Sequence, residues 1–337
     1  MTGTSGLSEE PKISIVTTLR APLHTTQDFV HFHLNSGVDH IFLYFDDPND
    51  PAIQCLQDEP RLTCIACDEA FWRSTPKYVL RGSIRPYDEA YGAMKLVDRQ
   101  LTNANHGLAL ARKKGGGWVA HIDSDELIFS TQELKLFLRR LPRTVNEVRL
   151  AVREALATEV SKDRRFSEFI WFKRPTAGSR LRLAQALGCK IIFEGEFFRG
   201  HTSSKCLIRA DADVLSMGIH RPAFIDDSRC AVETAGHYLL HYDDLGLVNW
   251  KDKFGQRLDG ALAASTMRDN RLKQLRLFEQ ARDAQPSEHD NIEELYSDLY
   301  VAGSVELGIL RVLGMLQRID IPQSLFRVVR RQQGNAA

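Results

Sequence analysis

Ile13-Ser14-Ile15-Val16-Thr17 is a β-branched run bounded by Pro11 and Pro22, and it predicts a first strand. The period then changes. Phe29 and His33, and Val30 and Leu34, pair at i,i+4 and predict a helix, with Thr25 or Thr26 as its cap and Gly37 at its end. Ile41-Phe42-Leu43-Tyr44-Phe45 is apolar at every position, as a strand buried on both faces requires, and it breaks into the turn-rich DDPNDP.

The longest periodic element runs from Tyr87 to Lys113. Ala90, Met94, Val97, Leu101, Ala104, Leu108 and Ala111 recur every three or four residues, one stripe of an amphipathic helix that Gly115-Gly116-Gly117 ends. Residues 118–122 predict another strand. The acidic run Asp123–Glu126 follows, then a helix through Leu134, Phe137 and Leu138, then a strand over 148–152. This alternation predicts an α/β fold, a mainly parallel sheet flanked by helices. Beyond residue 160 the pattern is mixed, with short strands expected at Lys190–Phe193 and Lys205–Arg209. From Asn249 on it is mostly helical, including 305–319. The expected organisation is a loose tail over 1–11, one domain over 12–260, a helical C-terminal extension over 261–329 and a second tail over 330–337.

Composition narrows the function. The chain carries 44 Lys plus Arg against 44 Asp plus Glu, so it has no global footprint for nucleic acid. No window approaches ~18 uninterrupted apolar residues, so a spanning helix is not expected, although peripheral membrane association stays open. The polar start MTGTSGLSEEPK lacks the apolar core of a secretory signal. Six scattered cysteines with one C-x-x-C pair, Cys64 and Cys67, read as free thiols in a reducing compartment. A cytoplasmic protein is expected.

The chemistry gathers at HIDSDELIF, residues 121–129. Asp123 and Asp125 end an apolar strand. Alternate residues of extended backbone point the same way, so both carboxylates can face one point. Converging carboxylates repel unless a cation neutralises them, and hard divalent ions such as Mn²⁺ or Mg²⁺ suit an oxygen-rich site shared with phosphates. An EF-hand loop fails, because Ile128 and Leu134 stand where glycine and glutamate are needed. No phosphate-cradling G-x-x-x-x-G-K-[ST] loop occurs. A phosphatase of the haloacid dehalogenase type also uses D-x-D after a strand, with one aspartate as nucleophile. Leu127 and a position more than a hundred residues into the chain speak against it. A polar strand end that caps the next helix is the plainest account, and Glu126 suits that task.

The stretch RQLTNANHGLALARKKGGGWVAHIDSDELIF resembles the donor-site region of the glycosyltransferase family 2-like clan, including the relatives grouped as family 92. Asn105, His106, Leu108, Trp118, Asp123, Asp125, Glu126 and Leu127 carry the likeness, and SIVTTLRAPLHTTQDFVHFHLNSGVDHIFLYFDDPNDP, RGHTSSKCLIR, GIHRP and LLHYDDLGLVNWKDKFGQRL extend it over residues 12 to 260. Leu19-Arg20-Ala21-Pro22 departs from it where many relatives carry Asn-Glu.

The resemblance implies a Rossmann-like GT-A fold and a metal-assisted transfer of sugar from a nucleotide-diphosphate donor to a hydroxyl acceptor on a glycan, a lipid-linked carrier or a protein. A non-catalytic module that binds nucleotide-sugar or glycan is a third reading. In the resemblance Asp125 binds the metal, Asp123 contacts ribose or metal, and Asp46 contacts base or ribose, with Asp47 a weaker candidate. His220 or His241 would complete the metal site, and the motifs do not choose between them. Lys205, Lys253 and Arg257 match basic positions for phosphate or acceptor, Arg257 being better suited to a solvated face. An inverting transfer needs a carboxylate base. Glu154 is the first candidate, with Glu196 and Asp226 as alternatives.

Overall fold

A computed structural model describes residues 10–78, 84–85, 96–200, 202–225, 229–258, 268–284 and 291–328. Tyr87, Ala90 and Met94 of the expected long helix, Asp226 and both expected tails beyond residues 10 and 328 lie outside them.

In chain order the strands and helices are β1 (Ile13–Leu19), α1 (Leu23–Asn35), β2 (His40–Phe45), α2 (Ala52–Leu56), β3 (Leu62–Ala66), α3 (Glu69–Ser74), β4 (Lys77–Tyr78), β5 (Ile84–Arg85), α4 (Leu96–Lys113), β6 (Trp118–His121), β7 (Glu126–Ser130), α5 (Leu134–Arg140) and β8 (Glu147–Ala155). They continue as β9 (Trp171–Lys173), α6 (Gly178–Ala186), β10 (Cys206–Arg209), β11 (Val214–Ser216), β12 (Ala223–Phe224), β13 (Ala231–His241), α7 (Leu247–Leu258), α8 (Asp269–Asp283), α9 (Asn291–Tyr300), α10 (Ser304–Val312) and β14 (Leu316–Arg318). The fold is mixed α/β, as the alternation predicts, with helices dominating the C-terminal region.

The described residues form two compact units, the first drawn from 1–151, 204–239 and 324–337, the second from 152–203 and 240–323. In the first unit the sheet order is β8-β10-β6-β1-β2-β3. Its heart is parallel, with β1 between β2 and β6 and β3 outside β2. β10 runs antiparallel to both β6 and β8. β1 and β2 are buried at every position, which explains the unbroken apolar run Ile41–Phe45 of β2. Helix α4 covers this face: Ala104, Leu108 and Ala111 pack with Val16, Phe42, Tyr44, Val119 and Ile208.

In the second unit β9 pairs with the end of β8 and with β14. Helices α7, α8 and α9 close around Trp250, Phe254, Phe278, Tyr296 and Tyr300. The apolar stripes of the C-terminal helices are therefore core.

Several elements differ from the sequence reading. Helix α1 begins at Leu23 behind Pro22, without a side-chain cap, and Thr25 and Thr26 are buried inside it. The fixed φ of proline starts the helix instead. Its end matches the reading: Gly37 has φ +93°, and Val38 N–H donates to His33 O at 3.0 Å and Gly37 N–H to Leu34 O at 3.4 Å. Strand β7 stands between the acidic run and α5, so Glu126 opens a strand and caps no helix. Residues 190–193 form no strand; Phe193 makes a single bridge to Glu196 around a turn with Glu194 and Gly195 at positive φ. The stretch 305–319 is not one helix, because Gly314 at φ +66° ends α10 and releases β14. All six cysteines are free, and burial raises the Cys64 thiol to about 11, which leaves the C-x-x-C pair unreactive.

Candidate functional site

In the first unit β1, β2 and β6 run parallel, so their carboxyl ends share one edge. Asp46 follows β2 and Asp123 follows β6, with β1 between those strands. Consecutive residues of α4 grip the two carboxylates. Arg99 forms an ion pair with Asp46: Nη2 donates to Oδ2 at 3.1 Å, and Nε lies 2.9 Å from Oδ1 without hydrogen-bond geometry. Gln100 Nε2 donates to Asp123 Oδ1 at 2.9 Å. One turn on, Asn103 Nδ2 donates to Thr18 Oγ1 at 3.0 Å, fastening α4 to the end of β1. Asp47 is a turn residue whose Oδ1 accepts from Asn49 N–H at 2.9 Å.

The acidic turn is internally braced. Glu126 is fully buried, and its Oε2 accepts the backbone N–H of Asp123 at 2.8 Å. Lys205 Nζ lies 3.0 Å from Asp123 Oδ2 and 3.7 Å from Glu126 Oε2. The antiparallel course of β10 brings that lysine to the carboxyl edge of β6, since Lys205 directly precedes β10. Asp125 sits half-buried in the same turn.

Behind the turn, His121 is buried, with Nδ1 3.4 Å from Gly218 O, and Nε2 has no hydrogen-bond partner among the described residues. Burial, and then the charge of Lys205, lowers its pKa to about 4, so the ring is neutral. His220 lines a small cavity with His121, Cys206 and Met217, and its carbonyl accepts from Cys206 Sγ at 3.6 Å. Asn105 ties this segment to α4: its amide donates to Met217 O at 3.1 Å and accepts from Met217 N–H at 2.8 Å. His106 Nδ1 hydrogen-bonds Tyr44 Oη at 2.8 Å. Asn105 and His106, two residues that carry the resemblance, are thus fasteners of the helix.

The second unit holds Glu154, His241 and Lys253. Glu154 is buried, and its carboxylate accepts from Lys173 Nζ at 2.7 Å, Arg199 N–H at 2.7 Å and Gly200 N–H at 2.6 Å. His241 Nδ1 lies 3.6 Å from Glu154 Oε2. Burial pushes the Glu154 pKa up, but Lys173 and the contact with His241 outweigh it and bring it to about 2. A carboxylate that acidic and that fully engaged has little affinity for a further proton. A Cβ on Gly200 would fall on the His241 ring, so only glycine lets this backbone pass.

Asp243 accepts from Arg271 Nη2 at 2.6 Å and from Tyr300 Oη at 2.8 Å, while Lys253 Nζ donates to the Asp243 carbonyl at 2.9 Å. Arg257 stacks on Phe254, 5.3 Å from its ring centre. Glu196 is half-buried, 3.8 Å from Arg268. Arg99, Gln100, Arg271 and Tyr300 are partners that sequence reasoning does not name.

Among the described residues no group of three or more His, Cys, Asp or Glu side chains is placed to hold a metal ion. Nor, among them, is any helix long and apolar enough to cross a membrane.

A family profile described as glycosyltransferase family 92 matches residues 21–276. A glycosyltransferase-like protein of Arabidopsis thaliana is 24% identical over 180 residues, which cover 49% of this chain and 38% of that relative. The chain thus spans well under half the length of this curated relative.

Proposed function

Because the chain belongs to glycosyltransferase family 92, we propose that the acidic edge of its first unit binds a nucleoside-diphosphate sugar, whose sugar passes to a hydroxyl acceptor. Membership favours this transfer over phosphatase chemistry. The observation that carries the reading is the pair Asp46 and Asp123, past the carboxyl ends of β2 and β6 and gripped by neighbouring residues of one helix. Ligands of open α/β sheets bind at that edge. Asp46 would meet the base or ribose, and Asp123 the ribose.

The donor set at the turn suits a hard divalent ion, Mn²⁺ or Mg²⁺. Asp123 already accepts from Gln100 and Lys205. Asp125, half-buried in the same turn, is the principal protein ligand in this reading, and the donor's phosphate oxygens supply the rest, as ions of this kind commonly arrange. Neither His220 nor His241 is required. The ion, when bound, offers positive charge to the diphosphate as it leaves. Asp46, Asp123 and the α4 pair hold the donor still, which is how binding contributes to rate.

The test is release of nucleoside diphosphate from UDP-, GDP-, CDP-, ADP- and dTDP-sugars, with and without Mn²⁺, in wild type and Asp125→Ala. Turnover of one donor, dependent on Mn²⁺ and lost in the variant, supports the proposal. A folded protein that neither binds nor turns over any of them overturns it, and binding without turnover favours the non-catalytic module. Phosphate-ester hydrolysis lost in Asp123→Asn would restore the phosphatase.

A further inference from the structure

The acidic turn contains its own cation. Lys205 is fully buried, so it has no surface to offer a donor. Its ammonium faces Asp123 and Glu126 at 3.0 and 3.7 Å. Two carboxylates at these distances favour the charged form of the amine. Glu126 in turn accepts the Asp123 N–H, and Gln100 takes the other Asp123 oxygen. Asp123 and Glu126 are therefore already matched to donors inside the protein, and Asp125 lies within the field of the same ammonium.

We propose that Lys205 is the resident counter-ion of this turn and makes divalent-cation binding conditional on the donor. The inference rests on the donor-binding reading given above. Lys205 cancels one of the turn's three negative charges and occupies carboxylate oxygens, so the turn holds Mn²⁺ weakly by itself and the diphosphate must bring further oxygens and charge. Cation and nucleotide then bind as one event, and the empty enzyme does not sequester metal. Lys205 acts through Asp123 and touches no substrate, so it is a positioning residue.

The test measures Mn²⁺ binding by titration calorimetry, alone and with each of UDP, GDP, CDP, ADP and dTDP. Wild type should bind Mn²⁺ about tenfold or more tightly with its preferred nucleotide than without. Lys205→Met should strengthen binding of Mn²⁺ alone by about tenfold or more, because a cation within a few ångströms of a carboxylate shifts its equilibria by that order. Lys205→Met/Glu126→Gln, which restores the net charge, should return Mn²⁺ affinity to the wild-type level. A purely structural lysine would instead change stability with no gain in metal affinity in Lys205→Met. If the methionine variant does not fold, Lys205→Gln, whose amide can still donate to Asp123, carries the same expectation.

A folded variant with unchanged or weaker affinity for Mn²⁺ alone overturns the proposal, even where wild type couples metal to nucleotide. A wild type that binds Mn²⁺ equally well without nucleotide also overturns it. Nucleotide binding with no dependence on Mn²⁺ at all would instead fail the metal reading on which the proposal stands.

Discussion

On Gly107 of α4 a Cβ would stand 2.6 and 2.7 Å from the two methyl groups of Val16 in β1. The glycine lets the helix lie directly on the strand, and the same helix brings Arg99 and Gln100 to Asp46 and Asp123. Gly107→Ala must lift α4 or distort Val16. Overpacking of this kind costs about 1–3 kcal/mol, against a gain of up to about 1 kcal/mol in helix propensity. The expected result is a lower urea midpoint and weaker nucleotide binding in the same variant. A midpoint at or above wild type would mean that the helix can rise without cost.

The Arg99–Asp46 pair sets a planar guanidinium against the carboxylate, Nη2 donating at 3.1 Å with Nε 2.9 Å from Oδ1, a fit that the point charge of a lysine cannot reproduce. Arg99→Lys should therefore lose nearly as much nucleotide affinity as Arg99→Met, about 1–2 kcal/mol in either case. A double-mutant cycle with Asp46→Asn should show strong coupling, since both changes break one unit. Full affinity in Arg99→Lys would show that charge alone suffices at that position.

Much of this arrangement is written locally in the chain. β1, α1, β2 and the end of α1 at Gly37 follow from apolar runs and period, and Asp123 and Asp125 stand out because they end a buried strand. Arg99 and Gln100 carry no such signal, because polar residues beside the apolar stripe of a helix read as a solvated face until the strand ends are in view. Lys205 reads as a ligand-facing base because burial at a strand entry is a property of the sheet, not of HTSSK. β7 was hidden because Leu127-Ile128-Phe129 is too short to separate from the helix that follows. The cluster of Asp243, Arg271 and Tyr300 joins residues dozens of positions apart, so no spacing rule reaches it.

His33 gives the first unit an acid-sensitive fastener. Its Nε2 accepts Ile128 N–H at 3.1 Å in β7, and its Nδ1 bonds Phe29 O at 2.8 Å. Burial lowers its pKa to about 3 from a usual value near 6.5. The folded state thus binds fewer protons than the unfolded chain between those values. The stabilisation is complete above pH 6.5 and is lost as the pH falls toward 3, at up to about 1.4 kcal/mol per pH unit for one proton. His121, lowered to about 4, adds to the same window. His33→Leu should cost about 1–3 kcal/mol at pH 7.5 by stranding the Ile128 N–H. It should also flatten the dependence of unfolding free energy on pH between 6.5 and 4 by up to one proton. An unchanged slope would show that His33 is already protonated in the folded protein.

Glu154 poses the sharpest choice between holding and chemistry. Its ion pair with Lys173 is buried on both sides, 1% and 2% exposed, and its remaining capacity goes to the Arg199 and Gly200 N–H groups. Glu154→Gln leaves the lysine uncompensated and should destabilise the protein by about 3–5 kcal/mol. Removing the lysine as well, in Glu154→Gln/Lys173→Met, should recover most of that loss, because the glutamine oxygen can still accept from one backbone N–H and no charge is stranded. The folded double variant then isolates the chemical question. A general base contributes about 10²–10⁴ in rate, so its loss would drop kcat by that factor with KM for the donor little changed. A holding group predicts kcat within about tenfold of wild type once the fold is restored. We expect the second result, since a carboxylate held near pKa 2 by Lys173 and His241 has little affinity for an acceptor proton. A loss of a hundredfold or more in the stable double variant would return Glu154 to the role of base.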